Sequence, residues 1–275
     1  MSDTAPSEKN SVQSLAKGFR VLEAFTAERL EMGLAEVARA AGVDNATAFR
    51  FLNTLVQLGY IEKISETKRF RLTLKCLDLG FSAIARTDLR ELARPLLREL
   101  VNETIEAASI AVPDGSEVVY IERVQAGLAR LGVDVRIGSR VPAYSTAVGQ
   151  IILAYLPRDA QVAALDAAPR RKLTATTLTA LDALLARLQQ VRQKGFALSD
   201  QENVTGLRVL AAPVLDADGV PLAALSVAAP AFAMPLKTFE TSSRGPVIAA
   251  AKKLSRAVQA AGAGTMPIKR QSPRS

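Results

Sequence analysis

The stretch from Leu34 to Arg71, LAEVARAAGVDNATAFRFLNTLVQLGYIEKISETKRFR, constrains the fold more than any other part of the chain. Leu34, Val37, Ala38 and Ala41 are spaced three and four apart, which gives a short helix with one apolar face. Gly42 closes that helix, because a residue without a Cβ readily takes the left-handed turn of a C-cap. Asp44 is placed to cap the next helix by accepting from the free N–H groups of its first turn. Phe51, Leu52, Leu55, Val56 and Leu58 form the core stripe of this second helix, which ends at Gly59. Two short extended runs, Tyr60 to Ile64 and Arg69 to Thr73, follow around the polar turn Ser65-Glu66-Thr67-Lys68. Helix, glycine turn, helix and hairpin make a winged helix-turn-helix.

The chemistry of this stretch points to nucleic acid. A helix whose first turns carry small and polar groups fits the DNA major groove, where amides and hydroxyls meet base edges and Arg meets guanine or phosphate. Asn45, Thr47, Ala48 and Arg50 are the candidates on the helix. Lys63, Lys68, Arg69 and Arg71 lie on the hairpin, where a wing would touch the flanking backbone. A small helical core with solvated charges would share the spacing, but it needs neither the basic hairpin nor a second helix of groove length. The formal net charge of +8 agrees with an anionic partner without establishing one.

At 275 residues and 49% hydrophobic composition the chain is expected to form two domains. The reading is α+β. Residues 1–10 are expected to be disordered, 11–75 to form the winged helix-turn-helix, and 76–106 a helical linker. Residues 107–262 would then form an α/β domain with a largely antiparallel sheet, and 263–275 a loose tail. Ser14 is placed to cap a first helix carrying Leu15, Phe19, Leu22 and Phe25. Arg86, Arg90, Arg94 and Arg98 form a basic stripe on the linker, either a phosphate track or, with Asp88, Glu91 and Glu99 beside it, a salt-bridged face; the second is preferred. Pro95 is expected to break the linker helix.

From Ala107 the period changes to that of strands. Ala108 to Val112, Glu117 to Val124 and Leu131 to Ile137 read as extended, with a turn at Asp114-Gly115. A helix opens at Tyr144-Ser145-Thr146-Ala147-Val148-Gly149, and a second spans Leu178 to Val191 and stops at Gly195. Strands return at Phe196 to Asp200, Val209 to Leu215 and Val220 to Val227, and Pro246 is expected to open a last helix.

Catalysis finds little support. The chain has no histidine, which removes the commonest general base and metal ligand. One cysteine, Cys76, allows neither an intrachain disulfide nor the usual zinc set, and it fits a reducing cytoplasm. No phosphate-binding glycine loop or nucleophile elbow is present. Asp200 and Glu202 are expected to share one face of a strand, but nothing marks a third group to complete a hydrolytic site. No enzyme, cofactor or metal is expected, and neither a signal peptide nor a membrane span. A small-molecule site is the better reading: at residues 141–149 a loop enters a helix whose unpaired N–H groups and dipole attract a carboxylate, with Ser145 and Thr146 adding hydroxyls.

Four segments resemble the IclR family of bacterial transcriptional regulators: SVQSLAKGFRVLEAF at 11–25, the helix-turn-helix with its wing, PAYSTAVGQIILAYLP at 142–157 and FALSDQENVTGLRVLAAPVLDADGVPLAALSVAAP at 196–230. The resemblance implies a linker helix and a GAF-like effector domain. Its effector pocket carries over to Val141, Tyr144, Ala147, Val148, Ser199, Asp200, Leu207 and Val209. Residues 132–157 resemble the branch that controls protocatechuate and 4-hydroxybenzoate breakdown, although Ala147, Val148 and Gln150 depart from it. Arg136 or Arg140 is a candidate cation for an aromatic carboxylate. The implied protein is a homodimer or dimer of dimers on a palindromic operator. The alternatives are an acid-sensing module whose helix-turn-helix contacts proteins, and a regulator answering glyoxylate or pyruvate.

Overall fold

In the computed structural model the chain divides into two compact units, Met1–Arg86 and Thr87–Ser275. The structure describes residues 11–26, 28–79, 89–102, 105–126 and 135–261. The expected N-terminal disorder, the loose tail, Arg86 and the first residues of the strand expected at 131–137 fall outside them.

The first unit holds α1 (Gln13–Glu23), α2 (Leu34–Ala41), α3 (Asn45–Gln57), β1 (Ile61–Lys63) and β2 (Phe70–Leu72). Apolar spacing brings the three helices together over Val21, Phe25, Met32, Val37, Leu52, Leu55, Ile61 and Phe70. Gly42 caps α2 in the left-handed region, at φ 63°. Asp44 caps α3, accepting from the Thr47 N–H at 2.8 Å. β1 and β2 pair antiparallel, and Met32 bridges to Phe70 beside them. Lys68, also left-handed, closes the wing by donating its N–H to the Ile64 carbonyl.

Two expectations for α1 are corrected. Ser14 does not cap it: the helix begins at Gln13, with Val12 in the cap position and no side-chain cap. Val21 is its buried residue, with Ala24 and Phe25 buried just beyond its end, whereas Leu15 and Phe19 are exposed. Leu22 and Phe25 of the expected stripe do meet the core, so the departure is confined to Leu15 and Phe19 in the N-terminal half.

The second unit begins with α4 (Leu89–Leu100), followed by β3 (Ala107–Asp114), β4 (Glu117–Gln125) and the short edge strand β5 (Arg140–Pro142). Next come α5 (Ala147–Ala154), α6 (Arg158–Asp166) and α7 (Leu181–Lys194), then β6 (Ala197–Asp200), β7 (Leu207–Leu215), β8 (Pro221–Pro230) and α8 (Leu236–Ala260). The six strands run in the order β5-β4-β3-β8-β7-β6, every neighbouring pair antiparallel. Helices α4 and α8 pack against one face, and α5 crosses the other with α7 behind it. Burial on both faces explains the near-continuous apolar runs of β7 and β8.

Both prolines expected to interrupt or open helices lie inside them. Pro95 sits within α4, whose buried Leu89, Ala93, Leu96, Leu97 and Leu100 hold the helix on both sides of it. Pro246 lies well inside α8, which starts at Leu236 because Phe239, fully buried, anchors the preceding turns. Tertiary burial outweighs the lost donor. Of the strand expected at 131–137, the described residues from Val135 on are not extended: Ile137 lies in a turn where the Ser139 N–H donates to the Arg136 carbonyl, and β5 follows it. Helix α7 begins at Leu181 rather than Leu178, because Thr177 Oγ1 accepts from the amides of Leu173 and Thr174 in the turn before it.

Candidate nucleic-acid interface and ligand site

In the first unit the candidate residues separate into three groups. Asn45 and Arg50 stand exposed on α3. Thr47 is half-buried and donates its hydroxyl to Asp44 at 2.7 Å, so it serves the cap. These two Thr47 donors, hydroxyl first and amide second, hold the Asp44 carboxyl below the usual carboxylate range. Ala48 is a correction: it is fully buried behind α3 and cannot meet a base. Its small side chain is what lets α3 pack closely on the core.

On the wing, Lys68 is exposed at the turn. Arg69 donates to Glu36 Oε2 at 2.7 Å and to the Glu31 carbonyl at 2.8 Å, which ties β2 to the start of α2. Glu36 also accepts from the Gly33 N–H, and that bond first, then Arg69, keeps its carboxyl low. Arg71 pairs with Glu62 and, at 3.8 Å, with Glu31. Two of the four cations singled out on the wing, Arg69 and Arg71, therefore have acidic partners within the unit. The linker stripe behaves similarly at Arg90, which pairs with the buried Glu122 at 3.3 Å.

In the second unit α5 is buried along its whole length. Thr146 caps it, accepting from the Gly149 N–H at 3.2 Å and donating to the Pro142 carbonyl at 2.9 Å. By helix geometry the first-turn amides, those of Ala147 and Val148, have no intrahelical acceptor. Val141, Tyr144, Ala147, Val148 and Val209 belong to one apolar cluster with Ala197, Ala211 and Ala224 of the sheet. Strand register places Ser199 opposite Val209, and Ser226 opposite Ala211, on this same face. Leu207, two residues before Val209 on β7, shares the face and is half-buried. The floor beneath α5 is thus built of small side chains.

Asp200 is a second correction. It pairs with Arg208 in the register and so projects from the opposite face to Ser199 and Val209. Its carboxylate accepts from Arg208 Nε at 2.7 Å, while Arg208 Nη1 reaches the carbonyls of Ala231 and Met234. The expectation that Asp200 and Glu202 share a face fails as well, because Gln201 turns the chain with φ 62° and strand β6 ends at Asp200. Ser145 donates to Asn203 Oδ1 at 3.1 Å, and Tyr144 gives its hydroxyl to the Arg171 carbonyl at 2.7 Å. Tyr144 also lines a cleft of about 340 Å³ with Ser116, Glu117, Leu165, Arg171 and Leu173. Arg140, a candidate cation for the ligand, is held by Asp114 at 2.5 Å and Glu117 at 3.5 Å on the edge strand.

A buried network went unread in the sequence. Fully buried Gln150 donates from Nε2 to the Tyr144 carbonyl and to Glu202 Oε2, both at 3.0 Å, and Arg187 Nη1 donates to Glu202 Oε1 at 2.9 Å. The Glu202 carbonyl accepts from Thr177 at 2.6 Å. This network clamps the segment after β6 against the first turn of α5. Its bonded partners lie up to 52 residues apart, so no local pattern announces it. Among the described residues no cluster of His, Cys, Asp or Glu could hold a metal, and no helix is long and apolar enough to cross a membrane.

Two family models match the chain: the IclR helix-turn-helix domain over residues 14–65 and the C-terminal domain of bacterial IclR transcriptional regulators over residues 81–256. The chain is 36% identical to the HTH-type transcriptional regulator KdgR of Escherichia coli K12, over 81% of this chain and 84% of that one. It is 35% identical to the Pca regulon regulatory protein of Pseudomonas putida, over 78% and 73%. The crystal structure of the Thermotoga maritima IclR superposes with a TM-score of 0.75 at 25% identity, covering 90% of this chain and 99% of that one.

Proposed function

The chain belongs to the IclR family of bacterial transcriptional regulators, and from that premise we propose that it reads a palindromic operator as a dimer or pair of dimers and answers a small organic acid. The family and the relatives are DNA-binding regulators, not enzymes. In this reading α3 enters the major groove, with Asn45 and Arg50 toward the bases, while Lys68 and the wing meet the phosphates.

One observation carries the ligand half of the proposal. The buried N-terminal turn of α5 stands over a sheet floor of small residues, within the cluster shared by Val141, Tyr144, Ala147, Val148 and Val209. Amides of Ala147 and Val148 would take a carboxylate there, with the helix dipole favouring the charge. Ser145, Thr146, Ser199 and Leu207 complete the proposed site. Asp200, turned to the other face, is left out of it. Apolar walls and the likeness to the Pca regulon protein support an aromatic carboxylate. The likeness to KdgR, equally close, supports an acid of a non-aromatic pathway as the second reading.

Binding shifts the regulator only if the acid favours one arrangement of the protein over another. A thermal-shift screen of the full chain tests the ligand reading. The panel is 4-hydroxybenzoate, protocatechuate, benzoate, phenylacetate, β-ketoadipate, pyruvate and glyoxylate. A ligand at about a hundred times its Kd adds roughly 2.7 kcal/mol to the native state. A rise with one aromatic acid alone supports the first reading, and a rise with pyruvate or glyoxylate alone replaces it with the second.

A further inference from the structure

Helix α3 presents Asn45, Ala46, Phe49, Arg50 and Asn53 to solvent along one stripe, three and four residues apart. Ala48, Leu52 and Leu55 are buried on the opposite side. Phe49 is out of place in this company: its residue is 47% exposed, although the rest of the stripe is polar or small. The unit's own core cannot take the ring up, because Ala48 and Leu52 already define the inward direction. Any occupant must therefore accept an aromatic ring flanked at helical spacing by two carboxamides and a guanidinium.

The DNA major groove offers that combination. Amides pair with adenine, a guanidinium with guanine or phosphate, and the groove's one apolar group is the C5-methyl of thymine. We propose that Phe49 is a specificity-determining residue which packs its ring on a thymine methyl in each operator half-site. The chain would then tell thymine from uracil and cytosine at that base pair. The inference rests on α3 being the helix that enters the groove. A contact with a second copy of the chain would also cover the ring. It would have to desolvate both asparagine amides as well and find each a partner, which the base edges of the groove already supply.

The test uses full-length wild type, F49A and F49L. Each selects duplexes from a randomised library. The enriched wild-type duplex is then made with deoxyuridine in place of each thymidine in turn, and affinity is read by fluorescence anisotropy at fixed salt. Wild type is expected to lose about fourfold for each engaged thymine that loses its methyl, the worth of one buried carbon. F49A should bind the thymine and uracil duplexes equally at that position, and F49L should keep a preference. An enriched sequence to which wild type is indifferent after every thymine-to-uracil change overturns the role of Phe49 and leaves the DNA-binding reading standing. Failure of wild type to enrich any sequence overturns both. A change of sedimentation in F49A with the thymine preference intact assigns the ring to a subunit contact, and the proposal falls.

Discussion

Gly149 in α5 lies so close to Ala143 that a Cβ added to it would collide with the Ala143 Cα, carbonyl carbon and carbonyl oxygen. Thr146 fixes this approach from both sides, bonding to the Pro142 carbonyl and to the Gly149 amide. The glycine is needed for space rather than for backbone freedom, and the space is at the first turn of the proposed ligand site.

Gly149→Ala should destabilise the second unit by about 3 kcal/mol, because the atoms it meets are backbone and cannot rotate away. Calorimetry of the full chain reads the loss. An unchanged melting profile would mean that α5 can withdraw from residues 142–144 at little cost.

Arg50→Ala and Arg69→Ala should have different signatures. With Arg50 toward the bases, its loss should weaken operator binding by about 1–3 kcal/mol and relax specificity, with a smaller loss on random DNA. Arg69 is held by Glu36 and the Glu31 carbonyl. Its replacement should lower the melting temperature of the first unit and leave the salt slope as it was. Anisotropy titrations across salt, with melting curves of both variants, make the comparison.

Glu202→Ala removes the acceptor shared by Gln150 and Arg187. Stranding a buried amide and a half-buried guanidinium should cost about 3 kcal/mol. Glu202→Gln keeps an acceptor for the network without the charge and should cost less. Denaturant melts of both variants rank them, and equal losses would show that a neutral acceptor recovers nothing and that the charge carries the whole contribution.

Burial pushes the Tyr120 phenol up to about 12, outweighing the nearby Arg123 that lowers it. The folded state then resists ionisation that the unfolded chain undergoes near 10. Tyr120 contributes this stability in full below pH 10 and loses it as pH rises from 10 to about 12. Tyr120→Phe should flatten that alkaline loss in melts taken across this range. In an absorbance titration Tyr120 should ionise together with unfolding.

Local rules read some parts of the chain well. Asp44 caps α3, Gly42 and Gly195 end α2 and α7 in left-handed turns, and Gly115 and Gly219 turn the two hairpins. Each depends on a few neighbouring residues, and the sequence states those directly. Helix α6 escaped notice because it is short and its apolar residues form no stripe of large side chains, with only Gln161 and Leu165 buried. Pro95 and Pro246 misled because proline rules describe a helix in isolation, whereas α4 and α8 are held down by the sheet. Among the candidate site residues, Ala48 and Asp200 differed for a related reason. Residue type names a chemistry, but the side of the helix or sheet decides what that chemistry meets.

The sequence by itself determined the helix-turn-helix, the wing and most of the other elements, because capping, turn chemistry and apolar period are local properties, and four of its segments carried the family resemblance. Only the tertiary structure decided that Asp200 faces Arg208 rather than α5, that Arg69 is bound to Glu36, and that Gln150, Arg187 and Glu202 form one network. Those relationships join residues distant in the chain, and strand register and packing alone bring them within bonding distance.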